Sequence, residues 1–157
     1  VEDIPKWVLD LPLTVIQEST YGNMNSTSIT KCFKKNILSH ISNGGAVVAP
    51  VFSLGRAQEI LYLLKTMQDE NELSSIIPIY LDGKLAIRYT GYYTTKMVGI
   101  KEEMLDFLPR NLTFVDRKTR NEVVNKNEKK IILTTSGMGS YGPAQTYIPE
   151  YINRKKH

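Results

Sequence analysis

Three short stretches of this 157-residue chain carry residue types suited to holding an anion or a metal-linked group. In LTVIQESTYGN (13–23), five strand-like residues deliver one carboxylate, Glu18, into a small, hydroxylated turn ending at Gly22 and Asn23. Taken alone, Glu18 reads as a helix-capping acid or a buried hydrogen-bond acceptor. In PVFSLGRAQE (50–59), a strand is followed by Ser53, Gly55 and then a helix. Free backbone N–H groups and the dipole at a helix start attract anions, and Arg56 adds a fork of donors suited to phosphate. By itself this stretch reads first as simple helix capping, with Arg56 on the surface. In TTSGMGSYGP (134–143), Ser136, Gly137, Met138, Gly139, Ser140 and Gly142 follow a strand. Successive N–H groups in such a turn form either an anion-binding nest or no more than a flexible glycine loop, and the residues favour neither.

Other chemistries lack their residues. Gly83-Lys84-Leu85 has neither the earlier glycine nor the Ser or Thr of a phosphate-binding P-loop. A GxGxxG spacing occurs at Gly137–Gly142, but it follows the last expected strand rather than the first, which argues against a dinucleotide fold. His40 and His157 stand far apart, and no HxH, HExxH or CxxC occurs, so no local motif assembles a zinc site. No Ser, His and acid cluster to suggest a hydrolytic triad. The one cysteine, Cys32, shares a helical face with Ile29, Phe33 and Ile37 and reads as a small buried apolar residue.

These stretches need a scaffold that brings them to one place. Strands are expected at 13–17, 46–52, 76–81, 111–115 and 130–136. Helices are expected at 26–42, from Ser53 onward, at 84–97 and from Pro143, a residue suited to a first helical turn. Asn43-Gly44-Gly45 stops the first long helix. Alternating strands and helices imply an α/β fold, Rossmann-like, with a mostly parallel sheet and helices on both faces. Ligands of such sheets bind beyond the carboxyl ends of the strands, where all three stretches would project together. The polar run 116–130 reads as a solvated loop or hairpin holding a short helix or strand.

Composition bounds the answer loosely. Twenty Lys and Arg against 16 Asp and Glu give +4, which permits a polyanionic partner without demanding one. No apolar run approaches the roughly 20 residues of a membrane helix. The acidic, polar start shows no signal peptide, and short loops suit a cytoplasmic protein. Oligomeric state is not written in the sequence.

Four segments in order, ESTYGN, GGAVVAPVFSLGRAQEIL, IPIYLDGKLAIRYTGYY and TTSGMGSYGPAQTYI, resemble the β-CASP group of the metallo-β-lactamase superfamily. Its members include ribonuclease J and the endonuclease subunit that cuts pre-mRNA at its 3′ end. The resemblance covers most of residues 13–152. It implies an α/β domain inserted in a two-zinc hydrolase domain, with nucleic acid cleaved in a cleft between the two. It implies that Glu18 matches the motif A acid beside the zinc centre, not a direct ligand. Ser53, Gly55 and Arg56 match the family's phosphate-facing turn, and Ser136, Gly137 and Met138 match its loop along the phosphate path.

The family's zinc ligands, an HxHxDH segment with a later His and Asp, are absent, and Asn23, Met24 and Asn25 stand where relatives often carry an acid, an Arg and a His. The chain starts at Val and reads as an excised piece: residues 1–22 a border strand of the metallo-β-lactamase domain, 23–157 the β-CASP domain. No metal ligand is assigned within it. Two zinc ions are expected in the parent protein and none on this piece, which alone should be inactive. Metals activate water and neutralise developing charge on phosphate, and their ligands need orienting partners, the role this resemblance gives Glu18. RNA is expected over DNA, because DNA-repair relatives tend to carry Asp at motif A. The parent would be a ribonuclease, endo- or 5′-exo-. The alternative is a non-catalytic α/β module that holds a phosphate or nucleotide through the Ser53 and Ser136 turns.

Overall fold

β-branched and leucine runs bounded by glycine or proline supply the strands, and the computed structural model pairs four of them in one parallel sheet. It describes residues 6–10, 26–95 and 102–153. The strand expected at 13–17, and with it Glu18, lies outside these residues. The helices are α1 (Lys6–Leu9), α2 (Ser26–Ser42), α3 (Arg56–Asp69), α4 (Lys84–Tyr93), α5 (Arg120–Asn125) and α6 (Ala144–Asn153). The strands are β1 (Ala46–Pro50), β2 (Ile79–Asp82), β3 (Leu112–Val115) and β4 (Lys130–Thr134), with a short 3-10 helix at Glu102–Asp106.

The strand order is β1-β4-β2-β3, all parallel. Parallel pairing forces helical crossovers, and these cover both faces. Side chains alternate along each strand. Ile79, Leu81, Ile131 and Leu133 therefore turn toward Ile37 and Ile41 of α2, Leu61, Leu64 and Met67 of α3, and Ala86 of α4. Tyr80 and Ile132 turn the other way, against Val123 and Val124 of α5 and Tyr147 of α6. Each Leu or Ile buried this way contributes roughly 1.5–3 kcal/mol. β4 is buried along its whole length between two neighbours, and its central residues Ile131, Ile132 and Leu133 are apolar on both faces for that reason.

Four expectations change. β1 is half-buried rather than buried, because it pairs only with β4 among the described strands. Cys32 is exposed. The buried face of α2 runs through Ile37 and Ile41, with Phe33 packed beside them, and Cys32 sits a helical step off that line. The third helix starts at Arg56 with Gly55 before it, so Ser53 lies in the preceding turn and does not cap it. α4 ends at Tyr93, before the expected 97. α2 spans 26–42 as expected, the polar run 116–130 does contain a short helix, and α6 follows Pro143 directly.

Candidate nucleic-acid interface at the carboxyl edge

The strand register places Pro50, Thr134, Asp82 and Val115 in one row across the carboxyl edge of the sheet. Two hydrogen bonds extend the ladder into the turns beyond: Val51 N–H donates to Thr134 O at 2.8 Å, and Thr135 N–H to Asp82 O at 3.0 Å. Three turns therefore leave the same edge. They touch closely enough to require glycine. A Cβ on Gly137 would lie 3.0 Å from the backbone N and the ring of Phe52, and one on Gly83 would lie 2.3 Å from Thr135 Oγ1. The 53–56 and 136–140 turns thus stand side by side.

The turn after β1 is fastened from within. Gly55, at φ +79°, donates its N–H to Gln58 Oε1 at 2.8 Å. The buried Gln58 amide donates in turn to Ser53 O at 3.2 Å and to Thr90 Oγ1 of α4 at 2.9 Å. Arg56 N–H and Ala57 N–H reach Leu54 O and Phe52 O. These helix-start donors are therefore not free, contrary to the sequence expectation, because the turn's own carbonyls and Gln58 consume them. What the turn offers outward is the exposed Arg56 guanidinium, whose Nη1 rests 2.7 Å from Glu59 Oε2. An exposed pair of this kind is weak and exchangeable. Gln58→Ala should cost about 1–3 kcal/mol by leaving buried partners unpaired, and amide exchange at Gly55 should accelerate. An unchanged Gly55 exchange rate would show that Gln58 does not hold the turn.

The turn after β4 is held differently. Ser136 N–H donates to Tyr141 O, Gly139 N–H to Ser136 O, and Ala144 N–H to Thr135 O, closing the loop onto the start of α6. Gly139 and Gly142 take positive φ, +70° and +65°, which non-glycine residues adopt at a cost. The Ser136 hydroxyl is buried without a hydrogen-bond partner among the described residues. A buried orphan hydroxyl costs free energy unless something outside fills it. The exposed Phe52, Leu54, Met138 and Tyr141 surround the two turns, Tyr141 at 75% exposure and Phe52 at 59%.

Beneath the edge lies a network that sequence reasoning did not single out. Asp82, 1% exposed, accepts from Arg120 Nε at 2.6 Å and Nη2 at 3.1 Å, and from Tyr147 Oη at 2.8 Å. The hydrogen bonds to Asp82 raise the proton affinity of the Arg120 guanidinium above the ordinary arginine range. Burial, reinforced by the Asp82 carboxylate, pushes the Tyr147 phenol well above the ordinary tyrosine range, so it stays a donor at neutral pH. The network ties β2, α5 and α6 together beneath the turns. The signal for it was an Asp at a strand's last position, directly before Gly83.

Of the sequence-level candidates, Ser53, Gly55, Arg56, Ser136, Gly137 and Met138 meet at this edge, while Glu18 lies outside the described residues. Among the described residues no cluster of three or more His, Cys, Asp or Glu side chains could hold a metal ion. No described helix is long and apolar enough to cross a membrane.

Comparison with known proteins agrees with this geometry. The Beta-Casp domain model matches residues 57–157. An RNase J-like protein of Methanocaldococcus jannaschii is 33% identical over 85% of this chain and 33% of its own length. Transcription termination factor FttA of Methanococcus maripaludis is 30% identical over 92% of this chain and 25% of its own. RNase aCSPSF2 of Saccharolobus solfataricus is 28% identical over 91% of this chain and 28% of its own. The chain spans a quarter to a third of the length of these curated relatives. A parallel sheet whose glycine-bearing turns meet at one edge, the matched domain model and these identities together make the chain a member of the β-CASP family.

Proposed function

We propose that this chain is the nucleic-acid-facing β-CASP domain, spanning about residues 23–157, of a metal-dependent phosphodiester hydrolase that acts on RNA. The observation that carries the reading is the meeting of the Arg56 turn and the Ser136–Met138 turn at one sheet edge, with the Ser136 hydroxyl lacking an internal partner. The relatives' names, RNase and transcription termination factor, support RNA as the substrate class. The described residues supply no ligand set for a metal. In this reading two zinc ions and their ligands belong to a metallo-β-lactamase domain of the same parent chain, which faces the carboxyl edge. When bound, those metals activate water and neutralise charge on the scissile phosphate. This domain's share is to bind and orient: Arg56 and the Ser136 hydroxyl meet phosphate oxygens, while Phe52, Leu54 and Tyr141 keep the edge poor in water.

The test is single-stranded RNA binding by the full-length protein across a salt series. Arg56→Ala should weaken binding about five-fold, the worth of one exposed charge contact. It should also lower the slope of log affinity against log salt by about 0.7, the value for one phosphate on a single strand. An unchanged affinity and slope would return Arg56 to its pairing with Glu59. Failure of the wild-type protein to bind RNA at all would end the reading.

A further inference from the structure

α4 leaves the carboxyl edge one residue after Gly83 and carries two cations, three tyrosines and no acid over its ten residues, KLAIRYTGYY. At about 100° per residue, Lys84, Arg88 and Tyr92 fall on one stripe. It lies opposite Ala86 and Thr90, which are fully buried against the core. All three are exposed. The arginines of the other described helices each hold a carboxylate, Arg56 on Glu59 and Arg120 on Asp82. Arg88 instead donates from Nε to the Tyr92 hydroxyl at 3.2 Å. Tyr89 lies tilted against Tyr92, ring centroids 6.3 Å apart. Among the described residues no carboxylate pairs with Lys84 or Arg88. The stripe therefore combines uncompensated positive charge with aromatic rings already steadied by neighbours.

That combination fits one class of polyanion. Single-stranded nucleic acid offers phosphates to the cations and unstacked bases to the rings, whereas a duplex keeps its bases stacked away from a convex helix. An acidic peptide would meet the cations but leave the tyrosine faces unused. We propose that the Lys84–Arg88–Tyr92 face of α4 is a track for single-stranded RNA that runs away from the carboxyl edge. It rests on the reading of that edge given above. Its helix advances about 15 Å, so only a strand longer than the edge itself can use it.

The experiment compares the affinities of the full-length protein for a long oligouridine and for tri-uridine, and reads their ratio. Lys84→Gln with Arg88→Gln should lower the ratio about ten-fold and cut the long strand's salt slope by about 1.4, two phosphates' worth. Tyr92→Ala should lower the ratio about five-fold or more through lost stacking. Arg88→Lys, which keeps charge, should retain the slope. All three substituted residues lie on the surface, and a thermal melt matching wild type confirms an intact fold. An unchanged ratio and slope overturn the track while leaving the edge reading intact, and so does a change of oligomeric state with RNA affinity unaltered. Wild-type protein that binds neither oligomer overturns the edge reading itself.

Discussion

Asp82→Ala is expected to destabilise the fold by about 3 kcal/mol in urea unfolding, the lower end for breaking a buried ion pair by removing one partner. The lower end applies because the Arg120 side chain retains 20% exposure and can partly rehydrate. The Tyr147 hydroxyl cannot: the residue is fully buried and its donor would be left unpaired. Replacing Asp82 by Asn keeps one acceptor and should cost less. A double-mutant cycle of Asp82→Ala with Arg120→Ala should return a coupling of about 1–3 kcal/mol. A single-mutant cost below about 1 kcal/mol, typical of an exposed pair, would refute the buried role of this network.

Gly83→Ala is expected to be nearly as damaging and to act on the site directly. The added methyl would lie 2.3 Å from Thr135 Oγ1 and 2.7 Å from its Cγ2. Gly83 also sits at φ +156°, toward the limit of the region glycine favours. Overpacking costs about 1–3 kcal/mol, and strained backbone adds about 1 kcal/mol or more. Thr135 must yield, and it carries the turn that leads to Ser136. RNA affinity of the full-length protein should fall together with stability. Adding Thr135→Ala removes both nearest atoms and should restore part of each loss. Wild-type stability in Gly83→Ala would mean that the two turns do not press together.

The periodic features of the sequence translated directly into structure. The apolar centre of KIILT, Ile131–Leu133, became the heart of β4 because a strand buried on both faces needs no alternation. The 3.6-residue pattern of 26–42 became α2, but periodicity alone could not tell its rim from its centre, and Cys32 fell on the rim. The glycine-bearing turns were visible as candidates because small residues after a strand can turn backbone N–H groups toward an anion. Their contact was not visible, since it depends on β4 standing between β1 and β2. Gln58 was not among the candidates, yet it fastens the turn and reaches Thr90, 32 residues away. Arg120 was placed in a solvated stretch because charge runs usually are solvated, and only its partner Asp82, 38 residues earlier, draws it inward. Pairings across such distances leave no local periodic signature.

The strand order has a temporal consequence. β1 finds its described neighbour only when β4 arrives: Ala46 pairs with Lys130, 84 positions downstream (130 minus 46). A chain emerging from the ribosome has made β1, β2 and β3 before the strand that joins β1 to the others exists. Closing so long a loop costs entropy before any contact repays it, and folds dominated by distant pairings form slowly. Because the same late strand also delivers Gly137 beside Phe52, the carboxyl edge is completed in the step that completes the sheet, and a nascent chain halted short of it carries no assembled half of that edge.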